Sequence, residues 1–387
     1  MLRSNDPGLP EPDAAGRAHS ERVRDAIGAA IDAAGGFIPF DRYMNLALYA
    51  PGLGYYVAGA RKFGADGDFV TAPELTSLFG RTLARQLAAI LDRARERRII
   101  EFGAGSGKLA ADILNTLRDA IARYEIVEVS PELRARQRET LQRLAPNEIA
   151  RVEWLDDLPP AIGGPVVMNE VLDAISVHVI ARRDRAWREC GVARQGDRFG
   201  WAERSLDDRR LLALAASRFP PDIDYRSELN PAGEALVETI ASRLVAGALI
   251  VIDYGFPRAE YYHPQRSEGT LMAHYRHRAL TDPFVWPGLC DLTTHVDFTS
   301  IADAAVRGGL RVAGFASQAS FLLSCGVLER LSEVGAPESI DYLREASAVQ
   351  TLTSPAEMGE FFKVLALARS DDIDWLGFKL NDRSHRL

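Results

Sequence analysis

The most informative stretch of this chain is Arg98-Ile99-Ile100-Glu101-Phe102-Gly103-Ala104-Gly105-Ser106-Gly107. A short apolar run ends at an acid and continues into three glycines at alternate positions. The next segment, from Lys108 to Leu117, has the composition of a helix. Because glycine adopts backbone conformations that other residues avoid, a strand, glycine turn and helix in this order let the main chain approach a ligand closely.

The spacing of these glycines excludes two other nucleotide-binding loops. A phosphate-binding loop needs Ser or Thr after its Gly-Lys, but Leu109 follows Lys108 here. A dinucleotide-binding turn needs a third glycine where this chain has Lys108. The pattern that remains, acid-x-Gly-x-Gly-x-Gly, resembles motif I of class I S-adenosylmethionine-dependent methyltransferases.

Composition and charge narrow the function classes further. The 387 residues carry a net charge of −8, which argues against a nucleic-acid partner because such proteins usually present a basic face. The three cysteines, Cys190, Cys290 and Cys325, form no CxxC pair, and the histidines of segment 254–295 show no zinc-site spacing, so we expect no bound metal. The longest apolar run, 244–252, is too short to insert into a membrane, and we expect a cytoplasmic protein.

Strand and helix patterns alternate from Arg98 onward, which predicts an α/β fold with a doubly wound sheet. We predict helices at Ser20–Ala34 and Glu74–Arg93 before this region, and later helices at 297–307 and 319–331. A long excursion between the fourth and fifth strands contains three segments that alternate like antiparallel strands, at 177–182, 186–192 and 199–203. The predicted strands of the main sheet are Arg98–Glu101, Tyr124–Val129, Arg151–Leu155, Pro165–Asn169, Ala248–Asp253, Leu310–Phe315 and Phe361–Ala368.

These patterns predict two regions. Residues 1–95 form an N-terminal tail and a helical lid region. Residues 96–387 form the methyltransferase core, with insertions at about 177–245 and 254–295. The second insertion is irregular and rich in Pro, His, Tyr and Trp, and we expect it to cover a site, since long connections of this kind are usually functional.

Carboxylates at the ends of the first two strands are candidates for cofactor binding. Gly103, Gly105 and Gly107 would let the backbone pass beneath the ligand, and Glu101 could accept from its ammonium group through water. Glu128 ends the second strand, where a carboxylate can bind both hydroxyls of a ribose. The alternatives are a tight turn without a ligand and an exposed strand-end acid.

Acids after the third and fourth strands supply further candidates. Asp156 and Asp157 could bind an adenine amino group, or could simply cap a turn. The fourth strand brings Asn169 and Glu170 to the carboxyl edge of the sheet, and Asp173 follows three residues later. Two carboxylates there could hold a guanidinium in fork geometry and accept its proton, or could be helix N-terminal acids that the helix dipole stabilises.

Longer stretches of the chain resemble the MidA/NDUFAF7-like family, also called DUF185, over most of its length. The two most specific stretches are Gly67-Asp-Phe-Val-Thr-Ala-Pro-Glu74 and Asn169-Glu-Val-Leu-Asp-Ala174. The others are Ala47-Leu-Tyr-Ala-Pro-Gly-Leu-Gly-Tyr-Tyr56, Glu101-Phe-Gly-Ala-Gly-Ser-Gly107, Val127-Glu-Val-Ser-Pro-Glu-Leu-Arg134, Gly269-Thr-Leu271, Asp291-Leu-Thr-Thr-His-Val-Asp-Phe298 and Phe362-Lys-Val-Leu-Ala-Leu367.

The resemblance implies a Rossmann-like class I methyltransferase fold of seven strands, the last one antiparallel, with an N-terminal helical extension and an inserted α+β excursion. It implies S-adenosylmethionine as methyl donor and a protein arginine as acceptor, on a subunit of respiratory complex I during its assembly. Glu170 and Asp173 become the catalytic candidates, and Ser130 joins Asn169 among the cofactor-binding candidates. The residues implied to bind substrate or form a lid are Tyr56, Gly67, Asp68, Phe69, Thr71, Pro73 and Glu74.

Two departures from the family pattern flank the expected acceptor site. Ile175-Ser176-Val177 stands where the family often has Leu-Pro-Val, and Glu268 stands where a glycine often precedes Gly-Thr-Leu. Two other functions therefore stay open at this point: a methyltransferase for a small molecule, and an assembly factor that binds S-adenosylmethionine without catalysis. The sequence does not indicate an oligomeric state.

Overall fold

A computed structural model describes residues 9–58, 71–370 and 372–387. The described residues form two compact units. The core unit comprises Val70–Leu172, Glu234–Pro257 and Val296–Leu387, and the accessory unit comprises Met1–Phe69, Asp173–Gly233 and Arg258–His295, each within the described ranges. The division predicted from the sequence, with a boundary near residue 95, stays a prediction.

The described residues form fourteen α-helices and sixteen strands. The α-helices are α1 (Ala14–Ala33), α2 (Phe40–Tyr49), α3 (Ala72–Leu75), α4 (Ser77–Leu91), α5 (Lys108–Leu117), α6 (Pro131–Leu144), α7 (Arg209–Arg218), α8 (Pro231–Arg243), α9 (Arg258–Tyr261), α10 (Phe298–Arg307), α11 (Gln318–Ser324), α12 (Val327–Ser332), α13 (Ile340–Thr353) and α14 (Met358–Phe361). The strands are β1 (Ile38–Pro39), β2 (Arg98–Phe102), β3 (Arg123–Val127), β4 (Val152–Leu155), β5 (Val166–Asn169), β6 (His178–Arg183), β7 (Ala186–Gln195), β8 (Arg198–Ser205), β9 (Tyr225–Leu229), β10 (Ala248–Phe256), β11 (Met272–Tyr275), β12 (Arg278–Leu280), β13 (Asp291–Thr293), β14 (Val296–Asp297), β15 (Arg311–Ser317) and β16 (Phe362–Ala368).

The core unit is built on a sheet with the strand order β15-β16-β10-β5-β2-β3-β4. Neighbouring strands from β10 to β4 run parallel, whereas β16 pairs antiparallel with both β10 and β15. The short β14 adds to the end of β10, where it pairs with Gly255 and Phe256. The predicted doubly wound sheet of seven strands with an antiparallel last strand is therefore confirmed.

The apolar character of the central strands follows from their position between two helical layers. Residues 248–253 of β10 are all buried, and β2 and β5 are buried over most of their length. Parallel strands covered on both faces are expected to carry such continuous apolar runs. The core of this unit combines strand residues with the buried faces of α4, α5 and α11, among them Leu83, Leu109 and Phe321.

The accessory unit contains two antiparallel sheets. One has the order β1-β7-β6-β9 with β8 paired to β7, and the other has the order β12-β11-β13. The three predicted strands of the excursion are confirmed as β6, β7 and β8. An aromatic cluster around Phe40 and Tyr43, both fully buried, forms the centre of this unit.

The segment expected to be irregular, 254–295, contains a hairpin that the sequence did not predict. Arg276 and His277 form its turn with φ values of 46° and 61°. Such a turn is usually marked by Asn-Gly or Asp-Gly, and neither is present here. The strands on either side, β11 and β12, have four and three residues, too few for a period of two to be recognised.

Two helices predicted as continuous are interrupted. The helix expected over Glu74–Arg93 is divided at Thr76, which is extended (φ −159°, ψ 144°) and caps α4 by accepting from the amide of Leu78 at 2.9 Å. The helix expected over 319–331 ends near Cys325, and Gly326 begins α12 with a φ of 83°. At the first break a side-chain cap replaces the helical hydrogen bonds that would have continued the helix, and at the second the left-handed backbone of Gly326 ends it. No helix of the described residues has the length and apolar character needed to cross a membrane.

Candidate active site

The glycine turn lies between β2 and α5 in the core unit. Gly103, Gly105 and Gly107 have φ values of 58°, 53° and 83°, in the left-handed region that residues with a Cβ rarely adopt. A Cβ on Gly107 would also lie 3.1 Å from the Cα of Gln137, which is tighter than ordinary packing. Both the backbone conformation and the close approach of α6 therefore require glycine at the start of α5.

Glu101 is a buried carboxylate at the end of β2. It is 2% exposed, and the hydroxyl of Tyr124 donates to its Oε2 at 2.7 Å. Burial raises the pKa of Glu101 to about 7; the Tyr124 hydrogen bond lowers this pKa, and the nearby Glu128 carboxylate raises it. A cationic ligand group beside Glu101 would favour its charged form.

Glu128 is the second buried carboxylate of this edge. Its Oε1 accepts from the amide of Ser130 at 2.9 Å, and its Oε2 accepts from the side-chain amide of Gln137 at 3.1 Å. Burial raises the pKa of Glu128, although hydrogen bonds from Ser130, Gln137 and the backbone of Val129 oppose this. Ser130 itself caps α6, where its hydroxyl accepts from the amide of Leu133 at 3.2 Å.

Val129 and Arg134 are two residues of this edge that the sequence reasoning missed. Val129 is 72% exposed and directly follows the buried Glu128. Arg134 donates to the carbonyls of Glu128 at 2.7 Å and Leu155 at 2.8 Å, which joins the ends of β3 and β4. In the sequence, Arg134 could have been noticed as a basic residue in the first turn of a helix, where the helix dipole favours acidic residues.

The two acids after β4 differ in their contacts. Asp156 is exposed and forms an ion pair with Arg134, with 2.7 Å between Nη1 and Oδ1. Asp157 is also exposed. Arg134 therefore holds Asp156 close to the backbone of Glu128. Asp157 remains a candidate only because it follows Asp156 in the sequence.

The loop after β5 contains a strained backbone and an unsatisfied buried atom. Glu170 has a φ of +53°, and its amide donates to the carbonyl of Ile252 at 2.9 Å. The side-chain nitrogen Nδ2 of Asn169 donates to Glu170 Oε1 at 3.3 Å. The buried Oδ1 of Asn169 accepts no hydrogen bond from any described residue. Asp253, which the sequence reasoning missed, fixes this loop because its Oδ2 accepts from the amide of Leu172 at 3.0 Å.

The predicted lid residues are only partly described. Gly67, Asp68 and Phe69 lie outside the described residues. Thr71 directly precedes α3, which contains the buried Pro73, and the hydroxyl of Ser106 donates to Glu74. A polar cavity of about 260 Å³ adjoins this contact and is lined by Glu74, Ser106, Lys108, Arg136, Glu139, Thr140 and Arg143.

The remaining two candidates, Tyr56 and Asp173, belong to the accessory unit. Asp173 is 5% exposed, and its carbonyl accepts from the amide of Thr294 at 3.0 Å. The hydroxyl of Tyr56 donates to Asp291 at 2.9 Å. Burial raises the pKa of Tyr56 well above its ordinary value, and the carboxylates of Asp291 and Asp173 raise it further.

Glu228 is a buried acid of the accessory unit that the sequence reasoning missed. It is 2% exposed, and it accepts from five groups: the amides of Thr270 (3.0 Å) and Leu271 (3.1 Å), and the hydroxyls of Thr270 (3.1 Å), Tyr261 (3.1 Å) and Ser227 (3.3 Å). A Cβ on Gly269 would lie 2.2 Å from its Oε1. The Gly-Thr-Leu motif is therefore wrapped around a buried carboxylate.

The core-unit edge fits an adenosine-like ligand that also carries a cationic amino acid. Glu101 and Glu128 could supply acceptors to such a ligand, the glycine turn leaves space free of side chains, and the buried Asn169 Oδ1 could accept from a ligand donor. Among the described residues, no group of three or more His, Cys, Asp or Glu has the arrangement of a metal site.

Comparison with known proteins decides the family. Residues 80–316 match the family model described as "Putative S-adenosyl-L-methionine-dependent methyltransferase". The chain belongs to this methyltransferase family. Its cofactor is S-adenosylmethionine, and the recognition of the family from sequence motifs is confirmed.

Individual relatives of this methyltransferase cover nearly the whole chain. A crystal structure from Burkholderia thailandensis, bound to S-adenosyl-homocysteine, is 48% identical, covers 98% of this chain and 100% of its own, and superimposes with a TM-score of 0.93. The protein named protein arginine methyltransferase NDUFAF7 homolog, mitochondrial, of Drosophila melanogaster is 30% identical over 86% of this chain and 82% of its own length. The human protein arginine methyltransferase NDUFAF7, mitochondrial, is 26% identical over 86% and 80%.

Proposed function

We propose that this methyltransferase transfers the methyl group to an arginine of a protein, and that the acceptor is a subunit of respiratory complex I. The observation that carries the arginine proposal is the strained Glu170 in the loop after β5. A non-glycine residue in the left-handed region costs free energy, and such strain concentrates at sites where a side chain must be held in one direction. The names of the relatives from Drosophila melanogaster and Homo sapiens support an arginine acceptor.

The cofactor end of the site would be formed by residues of the core unit. The backbone at Gly103, Gly105 and Gly107 would face the ligand without side chains. Glu128 would accept hydrogen bonds from the ribose hydroxyls. Glu101 and Asn169 would accept hydrogen bonds from the ammonium group. When bound, S-adenosylmethionine supplies a methyl group on a positively charged sulfur, which needs no further activation.

The acceptor end would depend on Glu170 and Asp173. A guanidinium offers five N–H donors in a plane, which match a pair of carboxylates in fork geometry. The guanidine nitrogen must lose a proton as it gains the methyl group, and one of these carboxylates would accept that proton. The chief contribution of the protein would be orientation, since a correctly held nucleophile removes much of the entropic barrier.

Two further points remain proposals. The complex I subunit is proposed from the family resemblance, and the relatives' names give no subunit. Location in the cytoplasm is likewise proposed from the sequence, while the relatives from animals carry "mitochondrial" in their names.

Mass spectrometry of protein arginines tests the arginine proposal directly. A strain that lacks this chain is compared with strains that carry the wild-type chain, Glu170→Gln or Asp173→Asn. We expect one or a few methylated arginines that are restored only by the wild-type chain. Restoration by both variants would contradict the roles of Glu170 and Asp173. An unchanged arginine methylome, with a methylated metabolite restored instead, would favour a small-molecule acceptor.

A further inference from the structure

Gln137 is a fully buried amide between the two halves of the candidate cofactor site. Its Nε2 donates to the carbonyl of Gly105 at 3.2 Å and to Glu128 Oε2 at 3.1 Å. Its Oε1 accepts from the indole nitrogen of Trp154 at 2.8 Å. Both hydrogens of the amide nitrogen and the amide oxygen are therefore engaged.

The three partners come from three different segments of the core sheet. Gly105 belongs to the turn after β2, Glu128 follows β3, and Trp154 lies in β4. The Cα of Gln137 also lies so close to Gly107 that a Cβ there would be 3.1 Å away. One side chain on α6 thus connects the glycine turn with the carboxylate that would bind the ribose.

An amide suits this position better than other side chains of similar size. The carbonyl of Gly105 and the carboxylate of Glu128 both need a donor, whereas the Trp154 indole needs an acceptor. Glutamate would offer no donor when ionised, and methionine would offer neither a strong donor nor a strong acceptor. Glu128 would then be buried with one hydrogen bond fewer, at a cost that is larger for a charged group.

We propose that Gln137 is a positioning residue for cofactor binding, which holds the Gly105 carbonyl and the Glu128 carboxylate in the arrangement that binds S-adenosylmethionine. The inference rests on the proposed roles of Glu128 and the glycine turn. The inference goes beyond these proposed roles because Gln137 acts through Glu128 and the glycine turn, without a contact of its own with the ligand.

Two variants test the proposal through the affinity for S-adenosyl-homocysteine, measured by calorimetry at pH 8 and at pH 5.5. Gln137→Met removes all three hydrogen bonds, and we expect the dissociation constant to rise about tenfold at both pH values, relative to the wild type at the same pH. Gln137→Glu keeps the shape of the side chain and the bond from Trp154, but places a second carboxylate against Glu128.

The pH dependence of Gln137→Glu is the readout that a general loss of stability would not give. Two adjacent carboxylates raise each other's pKa, so at the lower pH they share a proton. This proton restores a donor between positions 137 and 128. We therefore expect affinity at least about tenfold below the wild type at pH 8, and within about threefold of it at pH 5.5.

Gln86 provides a matched control in the same unit. It is also fully buried, donates to the carbonyl of Asp374 at 3.1 Å and accepts from the amide of Gly377 at 3.0 Å, away from the glycine turn. Gln86→Met and Gln86→Glu should lower the melting temperature but leave the affinity for S-adenosyl-homocysteine within twofold of the wild type.

Three results separate the possibilities. A pH-dependent affinity ratio for Gln137→Glu, absent from Gln86→Glu, supports the proposal. Affinity within twofold of the wild type for Gln137→Met, or a ratio for Gln137→Glu that is the same at both pH values, overturns it. If Gln137→Met does not fold, the pH ratio of Gln137→Glu decides alone. Glu128→Ala separates a failure of the proposed cofactor site from a failure of the Gln137 proposal. Unchanged affinity for S-adenosyl-homocysteine in that variant means that the proposed cofactor site is wrong.

Discussion

Two buried carboxylates, Glu101 in the core unit and Glu228 in the accessory unit, show how differently this chain uses the same chemical group. Both are 2% exposed. Glu228 accepts from five donor groups, whereas Tyr124 is the one donor to Glu101 among the described residues. A carboxylate that is already satisfied stabilises the fold, while one with free acceptor capacity can bind a ligand.

Burial alone therefore does not mark an acid as a candidate ligand-binding residue. What distinguishes Glu101 from Glu228 is its incomplete hydrogen bonding. Burial also raises the pKa of Glu101 to about 7. A raised pKa of this kind is common where a carboxylate is kept for a ligand or a reaction. Four substitutions test this contrast between a ligand-binding and a structural acid, and their expected effects on stability decrease from Glu228 to Asp156.

The largest effect is expected from Glu228→Ala. The substitution leaves five buried or partly buried donors without their acceptor, and the free energy of unfolding should fall by about 4 kcal/mol. Urea denaturation measures this loss. The affinity of the folded variant for S-adenosyl-homocysteine should stay within twofold of the wild type, and a large loss of affinity at unchanged stability would contradict a structural role.

Glu101→Gln should change the pH dependence of stability. The folded-state pKa of Glu101 lies above its ordinary value of 4.5, so the folded protein binds more protons and loses stability as the pH rises from about 4.5 through about 7. Glutamine at position 101 does not ionise, so the variant does not undergo this loss of stability in this pH range. We expect the variant to match the wild type near pH 4.5 and to exceed it at pH 8 by up to about 3 kcal/mol. Parallel denaturation curves with a constant difference at all pH values would show that Glu101 does not titrate in this range.

Gly107→Ala should cost about 2 kcal/mol of stability, because it combines a φ of +83° with a Cβ 3.1 Å from the Cα of Gln137. Gly196 provides the matched control, since it has a φ of +62° but nothing within 4 Å of a new Cβ. Gly196→Ala should cost about 1 kcal/mol and leave cofactor affinity unchanged. Equal costs and equal affinities for the two variants would mean that the contact with α6 is unimportant.

Asp156→Asn should have the smallest effect on stability. The ion pair with Arg134 involves a carboxylate whose side chain is 86% exposed, so its loss should cost less than about 0.5 kcal/mol. If Asp156 binds the adenine amino group, affinity for S-adenosyl-homocysteine should still fall about three- to tenfold by calorimetry. Unchanged affinity would leave only the turn interpretation for this residue.

The strands of the core sheet were predictable because their signals are local. Apolar runs of four to six residues, each ending in an acid or a glycine turn, indicate buried parallel strands, and the bounds of β2 and β5 agree with the prediction within one residue. The accessory unit was less predictable. Its strand β9 and the hairpin of β11 and β12 are short and partly polar, and they are fixed by pairing with distant segments.

The candidate site follows the same rule. Glu101, Glu128 and the three glycines stand at strand ends and could be named from the sequence. Gln137, Arg134 and Glu228 could not, because their roles come from contacts with residues far along the chain. Glu228 binds Thr270 and Leu271, which lie more than forty positions later. The spacing of residues in the sequence does not predict such a long-range contact.

Calorimetry at pH 7.5 can compare the affinities of Glu101→Gln and Glu228→Gln for S-adenosyl-homocysteine with that of the wild type, and so test whether the core-unit edge binds the cofactor. We predict that Glu101→Gln binds about tenfold more weakly, because the ligand's ammonium group loses a charged acceptor. Glu228→Gln, once shown to be folded, should bind within twofold of the wild type. Unchanged binding by Glu101→Gln, with a loss confined to Glu228→Gln, would contradict the assignment of the cofactor site to the core-unit edge.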